Sequence, residues 1–370
     1  MKIIGLISCG RSGADLFQSL LDNHNQILQF PGYILFNKKL LKIFLLNNKK
    51  EVAERFCEIY PHFFDSRLNQ EERHHQLGNT KSQHFTVNKK KFINFFCKSK
   101  IKKKDKLDIL VNLNKSYYLA SNRPVNKIKI FLIHFHLYDN LKNFLNFFSN
   151  PKSLTIIMTL RDILASLGST CYKWLKFKPT ALDAHTLYLN VVGHLMQINR
   201  LQKLKKKVYV VQLEKLHLDN TKVMREFCKI FKINFKSSLT KSTYFGKKWW
   251  GDKTSLRYLN GINKKFKNKF YENFFFQKDI SLIENKILNL IKFYDYPKRS
   301  NLLSIKILDL LPYKFEYQIW FNSFKYFNLK KIIKIPIYWI LRIFNTYGNN
   351  LYKNDDFPYS IGSGKFINKL

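Results

Sequence analysis

Residues 2–15, KIIGLISCGRSGAD, carry the clearest fold signal in this sequence. Residues 2–8 are an apolar run without polar alternation, which is typical of a parallel strand buried on both faces. The glycine loop Gly10–Gly13 follows, and leucines then recur at helical spacing between Leu16 and Leu21. A strand, a glycine loop and a helix in this order predict the start of a βαβ unit.

The rest of the chain continues this alternation. Apolar runs at 128–133, 154–160 and 208–213 predict three more buried strands, and a helical pattern follows each of them. Strands that alternate with helices predict an α/β fold with a mostly parallel sheet and helices on both faces. In such sheets, ligands bind at the carboxyl ends of the strands.

Two regions fall outside the simple alternation. Residues 37–127 carry helical stretches without a recognisable motif, so we interpret them as a helical insertion in a domain formed by residues 1–300. Residues 301–370 form a basic, aromatic C-terminal extension. Residues 313–344 are dense in aromatic and basic residues, and the part 331–344 is too short to span a bilayer. It can either pack as a helix on the main body or lie on a membrane surface.

Composition narrows the functional classes. Lys and Arg total 65 and Asp and Glu total 25, which gives a net charge of +40 and an attraction to polyanions. Only 11 of the basic residues are Arg, whereas base readout favours Arg, and no RNA- or DNA-binding motif is present. The sequence alone therefore does not favour nucleic acid as a partner.

No apolar run approaches the ~20 residues that a membrane span needs. Five scattered cysteines without a CxxC pair favour a reduced, cytoplasmic protein, peripheral at a membrane if segment 313–344 lies on one.

The loop Gly10-Arg11-Ser12-Gly13 is the first candidate site. A glycine loop between a strand and a helix presents backbone N–H groups to an anion, and Arg11 adds a permanent charge for phosphate or sulfate. The loop lacks the Lys and the Mg²⁺-binding hydroxyl of the G-x-x-x-x-G-K-[ST] motif. A simple tight turn is the alternative interpretation.

Two further candidates lie later in the chain. Arg161 follows a predicted strand, and Ser169 lies eight residues on, close to the same helical face, so both can contact one phosphate. The loop Lys247-Lys248-Trp249-Trp250-Gly251-Asp252 combines cations and flat rings, which suit an aromatic base beside a phosphate. A helix start with an incidental Arg and a tryptophan-anchored surface loop are the alternatives.

Together and in this order, these motifs resemble those of sulfotransferases that use 3′-phosphoadenosine 5′-phosphosulfate (PAPS). The first loop looks like the Arg-bearing 5′-phosphosulfate loop of bacterial members, and Arg161 with Ser169 looks like the 3′-phosphate motif. The resemblance spans roughly residues 1–300, without 37–127. The stretches that carry it are Ile7–Gly13, Leu20–His24, Phe30–Gly32, Leu160–Asp162 with Ser169, Leu213–Leu216, Met224–Cys228 and Gly251–Asp252.

The resemblance implies a P-loop NTPase-like fold and an enzyme that transfers a sulfuryl group from PAPS to a hydroxyl or an amine without a metal. It implies that Arg11 contacts the 5′-phosphosulfate and that a histidine takes the proton of the acceptor. His136, followed by Leu137, is the better match for that base, and His134 is the second choice. The same resemblance implies a donor site made by residues of all three motifs: Gly10, Arg11, Ser12, Gly13, Ala14, Asp15, Arg161, Ser169, Lys247, Lys248, Trp249 and Gly251.

The sequence also departs from the family pattern. Ala14 and Asp15 stand where family members carry Thr or Ser, and a carboxylate there repels a bound anion. A non-catalytic relative with the same fold is therefore an alternative, and a basic nucleic-acid-binding protein is another. The basic, aromatic surface favours a saccharide or glycolipid acceptor, although no motif names the acceptor.

Overall fold

The computed structural model describes most of the chain, and the following account concerns that part alone. It comprises residues 1–8, 10–101, 105–149, 151, 153–177, 200, 201, 203, 204, 206–253, 261–263, 270–300, 310–325, 329–348 and 358–362. Parts of the predicted insertion and of the predicted extension therefore lie outside the described residues.

Six strands form one sheet in the order β2-β3-β1-β4-β5-β8, and every neighbouring pair in it is parallel. The strands are β1 (Lys2–Ser8), β2 (Ile27–Leu28), β3 (Ile130–His136), β4 (Leu154–Leu160), β5 (Val208–Gln212) and β8 (Tyr359–Ser360). Two further short strands, β6 (Thr243–Tyr244) and β7 (Lys247–Lys248), form a separate antiparallel hairpin. The predicted α/β fold with a mostly parallel sheet is confirmed.

The described helices alternate with these strands and fill the predicted insertion. Within the insertion they are α2 (Lys38–Ile43), α3 (Lys49–Ile59), α4 (Pro61–Phe64), α5 (Lys89–Lys98) and α6 (Lys106–Ala120). The others are α1 (Ala14–Leu21), α7 (Tyr138–Phe147), α8 (Ile163–Phe177), α9 (Leu213–Leu218), α10 (Asn220–Phe231), α11 (Gln277–Lys286), α12 (Leu288–Phe293), α13 (Lys314–Lys325) and α14 (Leu329–Gly348).

Hydrophobic cores cover both faces of the sheet. Successive β1 side chains point to opposite faces: Ile4 and Leu6 belong to a core with α1, α9 and α10, whereas Ile3 and Ile7 belong to a larger one. The larger core contains the helices of the insertion together with α7 and α8. The uniformly apolar strands predicted from the sequence follow from this coverage, because both faces of each strand are buried.

Strand β1 lies inside the sheet between β3 and β4. The strands on the β3 side precede β4 in sequence, and the chain crosses to the other side of β1 when it forms β4. Ligands of open α/β sheets bind beyond the carboxyl ends of the strands at such a switch point. The glycine loop leaves β1 here, between the ends of β3 and β4, so the topology places the candidate site in the expected crevice.

The predicted C-terminal extension returns to this sheet. Strand β8 pairs with the outer edge of β5, and Ile361 beside it is fully buried. The Ser360 hydroxyl donates to Oε1 of Gln212 at 2.7 Å, and the Tyr294 hydroxyl donates to the carbonyl of Pro358 at 2.9 Å. Residues 358–362 therefore complete the edge of the sheet.

Candidate anion-binding site and active site

The glycine loop is shaped by two left-handed glycines. Gly10 has φ of 66° and Gly13 has φ of 86°, and only glycine adopts this region without strain. A Cβ on Gly13 would lie 2.5 Å from Cδ1 of Leu213, at the start of α9, so the close approach of α9 also requires glycine. Helix α1 begins at Ala14, and its first N–H groups lack intrahelical partners. Such groups form an anion-binding helix N-terminus.

The Ser12 side chain fixes the loop to the sheet. Ser12 is buried, and its hydroxyl hydrogen-bonds the Thr159 hydroxyl on β4 at 2.8 Å. The hydroxyl of Ser8 lies 3.3 Å from the same Ser12 oxygen. These contacts link the ends of β1 and β4 through the loop and hold its backbone in place for an anion.

Two arginines lie close together at this loop: Arg11 belongs to the loop itself, and Arg161 directly follows β4. Nη1 of Arg11 pairs with Oδ2 of Asp252 at 3.1 Å, and Nη1 of Arg161 donates to the backbone carbonyl of Arg11 at 3.4 Å. Arg161 is only 7% exposed. Its pKa is lowered to about 10, mainly by burial; Glu214 opposes this shift, and Arg11 makes a smaller contribution to it. The repulsion between the two guanidinium groups favours the binding of an anion beside them.

The backbone that carries Arg161 is held by its neighbour Asp162. The Asp162 carboxylate accepts from the N–H of Ala165 at 2.9 Å, which caps α8, and pairs with Nη1 of Arg299 at 3.0 Å. Its own N–H donates to Oε1 of Glu214 at 3.0 Å. Ser169 lies half-buried further along α8, and the described residues show no hydrogen bond between it and Arg161. Asp162, Glu214 and Arg299 therefore orient the backbone that carries Arg161.

The two histidines at the end of β3 lie beside the glycine loop, with ring centroids 6.0 Å apart. The β1–β3 pairing shifts register here, so that Leu6 pairs with His134 and Ile7 with His136. The extra residue, Phe135, packs into the large core. This bulge, together with the left-handed φ of 63° at His136, allows both imidazoles to lie near the crevice.

A buried glutamine determines the proton position on His134. Nε2 of Gln18 donates to the carbonyls of Phe30 and Gly32, at 2.8 and 3.2 Å, so its Oε1 is the atom that faces Nδ1 of His134 at 2.9 Å. His134 therefore carries its proton on Nδ1 and its lone pair on Nε2. Burial holds the pKa of His134 well below its usual value, with a smaller contribution from His136. The imidazole is neutral near pH 7.

His136 is more accessible than His134. It is half-buried, and its ring stacks on Tyr33 with a centroid distance of 4.7 Å and an interplanar angle of 25°. Burial raises the pKa of Tyr33, with further contributions from Glu72 and Asp15. Tyr33 therefore remains a neutral phenol that supports the His136 ring.

The first residues of α1 complete this side of the site. Ala14 is buried, and Oδ1 of Asp15 lies 3.7 Å from Nδ1 of His134. The carboxylate is thus directed to the β3 histidine. This contact gives Asp15 a partner at the position where the sequence departs from the family pattern.

The tryptophan loop reaches the site only at its end. Nε1 of Trp249 donates to the carbonyl of Glu72 at 2.7 Å, and Nε1 of Trp250 donates to the carbonyl of Gly78 at 2.6 Å. Nζ of Lys247 donates to the carbonyl of His84, and Nζ of Lys248 lies 3.8 Å from the centre of the Trp250 ring. These side chains anchor the loop to the insertion and thereby place Gly251 and Asp252 beside Arg11.

Sequence reasoning missed several side chains that shape the site, notably Gln18, Glu214 and Arg299. Gln18 offered one signal, because it is a polar residue on the apolar face of α1 that packs on the sheet. A polar residue at such a position is buried and must find partners. Glu214 and Arg299 lie far from the loops in sequence, and no local pattern marks them. Within the described residues, no group of three His, Cys, Asp or Glu side chains is placed to hold a metal ion.

Comparison with known proteins adds a likeness of fold. No protein-family model matches the sequence, and no curated protein is similar to it. The sulfotransferase domain of the Synechococcus PCC 7002 olefin synthase is similar, with 16% identity, a TM-score of 0.43 and coverage of 73% of this chain and 87% of that chain. The sulfotransferase domain from the curacin biosynthetic pathway has 12% identity and a TM-score of 0.43, over 80% and 99% of the two chains.

A third similar structure is sulfotransferase STF9 from Mycobacterium avium, with 11% identity, a TM-score of 0.34 and coverage of 64% of this chain and 65% of that chain. Because the identities and TM-scores are this low, the function has to be argued from the geometry of the site alone.

Proposed function

We propose that this protein is an enzyme that transfers the sulfuryl group of PAPS to a hydroxyl or amine acceptor. The observation that carries the proposal is the meeting of Arg11, Arg161 and Asp252 beside the N-terminus of α1. These residues come from three distant parts of the chain. They bring two guanidinium groups together at the topological switch point of a parallel sheet.

The chemistry of the crevice fits the two anionic groups of PAPS. The backbone of Gly10–Gly13 and the Arg11 guanidinium suit the 5′-phosphosulfate, and the buried Arg161 suits the 3′-phosphate. Without an anion, Arg161 is a desolvated cation whose pKa is lowered to about 10. A phosphate there would add a negative charge directly beside the guanidinium. The Asp252 carboxylate that pairs with Arg11 would then be exchanged for the phosphosulfate.

The reaction itself asks the protein mainly to position and to neutralise charge, as in phosphoryl transfer. The bond between sulfur and the bridging phosphate oxygen breaks, and a bond from sulfur to the acceptor oxygen or nitrogen forms. Arg11 neutralises the charge that remains on the phosphate oxygen, and 3′-phosphoadenosine 5′-phosphate leaves. The proton of the acceptor passes to a histidine.

We assign that proton acceptor to His136, with His134 as the second candidate. His136 is half-buried and therefore more accessible to an acceptor than His134, and Tyr33 supports its ring. His134 lies behind it with Nδ1 held by Gln18. In this arrangement His136 exchanges the proton, and the neutral His134 shapes the wall of the site.

The test is calorimetric titration of the full chain with 3′-phosphoadenosine 5′-phosphate. We expect binding by the wild type and a loss of about 10- to 100-fold in Arg161→Ala, because a charge-assisted contact to phosphate contributes about 1.5–3 kcal/mol. Arg225→Ala, which removes an exposed Arg on α10, is the matched control and should bind normally. A folded wild-type protein that gives no binding heat would overturn the proposal.

A further inference from the structure

Helix α14 presents an apolar face to solvent. Leu329 is 72% exposed, Ile333 is 68% exposed and Phe344 is 70% exposed, and Ile337 and Ile340 are also exposed. At about 100° per residue these positions fall within one third of the helix circumference. A stripe of large exposed apolar side chains along one face of a helix indicates a surface that a membrane or another molecule covers.

Helix α13 contacts α14 and also exposes large apolar side chains. Phe321 and Phe324 are among its most exposed side chains. Beside them lies an open cleft of about 650 Å³, lined by Tyr317 and Phe321 of α13 and by Phe274 and Phe276 of the main body. We call the exposed apolar side chains of α13 and α14 the hairpin face. It borders this cleft at Phe321, and the cleft lining also includes Lys314 and Gln318.

The segment that carries the hairpin face is strongly basic. Segment 313–344 carries six basic residues and one acidic residue, Glu316. Glu316 is buried, and its Oε2 accepts the N–H of Tyr313 at 2.7 Å, so its carboxylate is turned into the protein. Helix α14 has no acidic residue, and Lys334 is exposed on it. A basic amphipathic helix of this kind is typical of surfaces that bind anionic lipid.

We propose that the hairpin face docks this protein on an anionic lipid surface. The apolar side chains would enter the boundary between head groups and acyl chains, and the surrounding lysines would contact the head groups. A second copy of this chain fits less well, because two copies would bring the same positive segments together on a molecule of net charge +40. The helices would lie on the surface, since none of the described helices is long and apolar enough to cross a membrane.

The test is flotation of the full chain with vesicles, using phosphatidylcholine alone and phosphatidylcholine with about 30 mol% phosphatidylglycerol. We expect at least tenfold more binding to the anionic vesicles, because both the lysines and the apolar side chains contribute there. The double variant Ile333→Glu/Phe344→Glu should lose more than about tenfold of this binding. Both side chains are exposed, so the variant should fold.

A matched control separates insertion from attraction by the overall charge. The double variant Leu45→Glu/Leu68→Glu adds the same negative charge at two exposed leucines outside the hairpin face, and it should bind as the wild type does. Equal losses in both double variants would overturn the proposal, as would an absence of flotation. A concentration-dependent dimer that Ile333→Glu/Phe344→Glu abolishes in analytical ultracentrifugation would assign the face to a second copy instead. None of these outcomes depends on the proposed sulfuryl transfer.

Discussion

Gln18 shows how one buried amide can define the chemistry of a neighbouring imidazole. Its amide nitrogen is committed to two backbone carbonyls, so its oxygen faces Nδ1 of His134. The two histidines of β3 therefore differ in environment although they are two residues apart. His134 is fully buried with a defined tautomer, whereas His136 is half-buried and stacked on Tyr33. This difference allows the base to be identified by a pair of variants.

We predict that His136→Ala abolishes sulfuryl transfer and leaves the binding of 3′-phosphoadenosine 5′-phosphate intact. Loss of a general base reduces a rate by about 10²- to 10⁴-fold, and the proposed donor contacts are made by Arg11 and Arg161 instead. Transfer from PAPS and calorimetric binding should be measured on the same preparations. If His134→Ala alone stops turnover in a protein that still melts cooperatively, the base is His134. Binding without any transfer in the wild type would favour a non-catalytic relative.

At the start of α1, the backbone at Gly13 is constrained in two ways. Gly13 has a left-handed φ and lies against Leu213, which begins α9. The helix N-terminus that faces the crevice is therefore positioned by packing between two helices. A side chain at Gly13 would disturb the anion site and the core at the same time.

We predict that Gly13→Ala lowers the free energy of unfolding by roughly 1–3 kcal/mol, from backbone strain and from the clash with Leu213. Gly246→Ala is the control for strain alone, because Gly246 also has a left-handed φ of 71° but a Cβ there would have its nearest neighbour at 3.5 Å. Adding Leu213→Ala should reduce the cost of Gly13→Ala. Urea unfolding measures all three effects, and strictly additive costs would contradict the role of the contact.

The strands show which elements of the fold local sequence patterns can predict. Strands β1 and β4 occupy the predicted residues 2–8 and 154–160, because long apolar runs identify buried parallel strands. Strand β3 extends to His136, beyond the predicted end at 133, since polar residues at a crevice resemble a loop in sequence. Strands β2 and β8 have two residues each and carry no readable period.

The candidate site was predictable in its motifs and less so in its contacts. Arg11 and Asp252 are 241 residues apart, and no local pattern brings them together. Motif order suggested one site, but the side-chain directions of the tryptophan loop depend on carbonyl groups of the insertion. Those carbonyls are backbone atoms, which any sequence provides. Such contacts depend on tertiary packing, so they cannot be predicted from the residue types.

The molecule as a whole buries several histidines in neutral form. Burial lowers the pKa of His74 to about 3, with smaller effects of His62 and His75, and it lowers the pKa of His217 to about 4, with a smaller effect of Arg161. His134 is shifted well below 6.5 in the same direction. Each unit by which a folded pKa lies below the unfolded value is worth about 1.4 kcal/mol once the unfolded chain is protonated.

We therefore predict that the free energy of unfolding falls as the pH decreases from about 6.5 towards 4. In this window the unfolded chain binds protons on these histidines, whereas the folded protein keeps them neutral, so acid favours unfolding. Urea unfolding at a series of pH values measures the slope. His74→Gln should flatten it, and an unchanged slope in this variant would contradict the assignment.

The pairing of β8 with β5 has a consequence for biosynthesis. The paired residues Ser360 and Gln212 are separated by 148 positions. At about 5–20 residues per second, a ribosome needs roughly 7–30 s to make the intervening chain. For that time the backbone N–H and C=O groups at the outer edge of β5 have no strand beside them, and open edges recruit strands of other chains. During this interval the nascent protein is exposed to self-association. A chaperone would protect it, and so would a slow rate of initiation, which spaces neighbouring ribosomes.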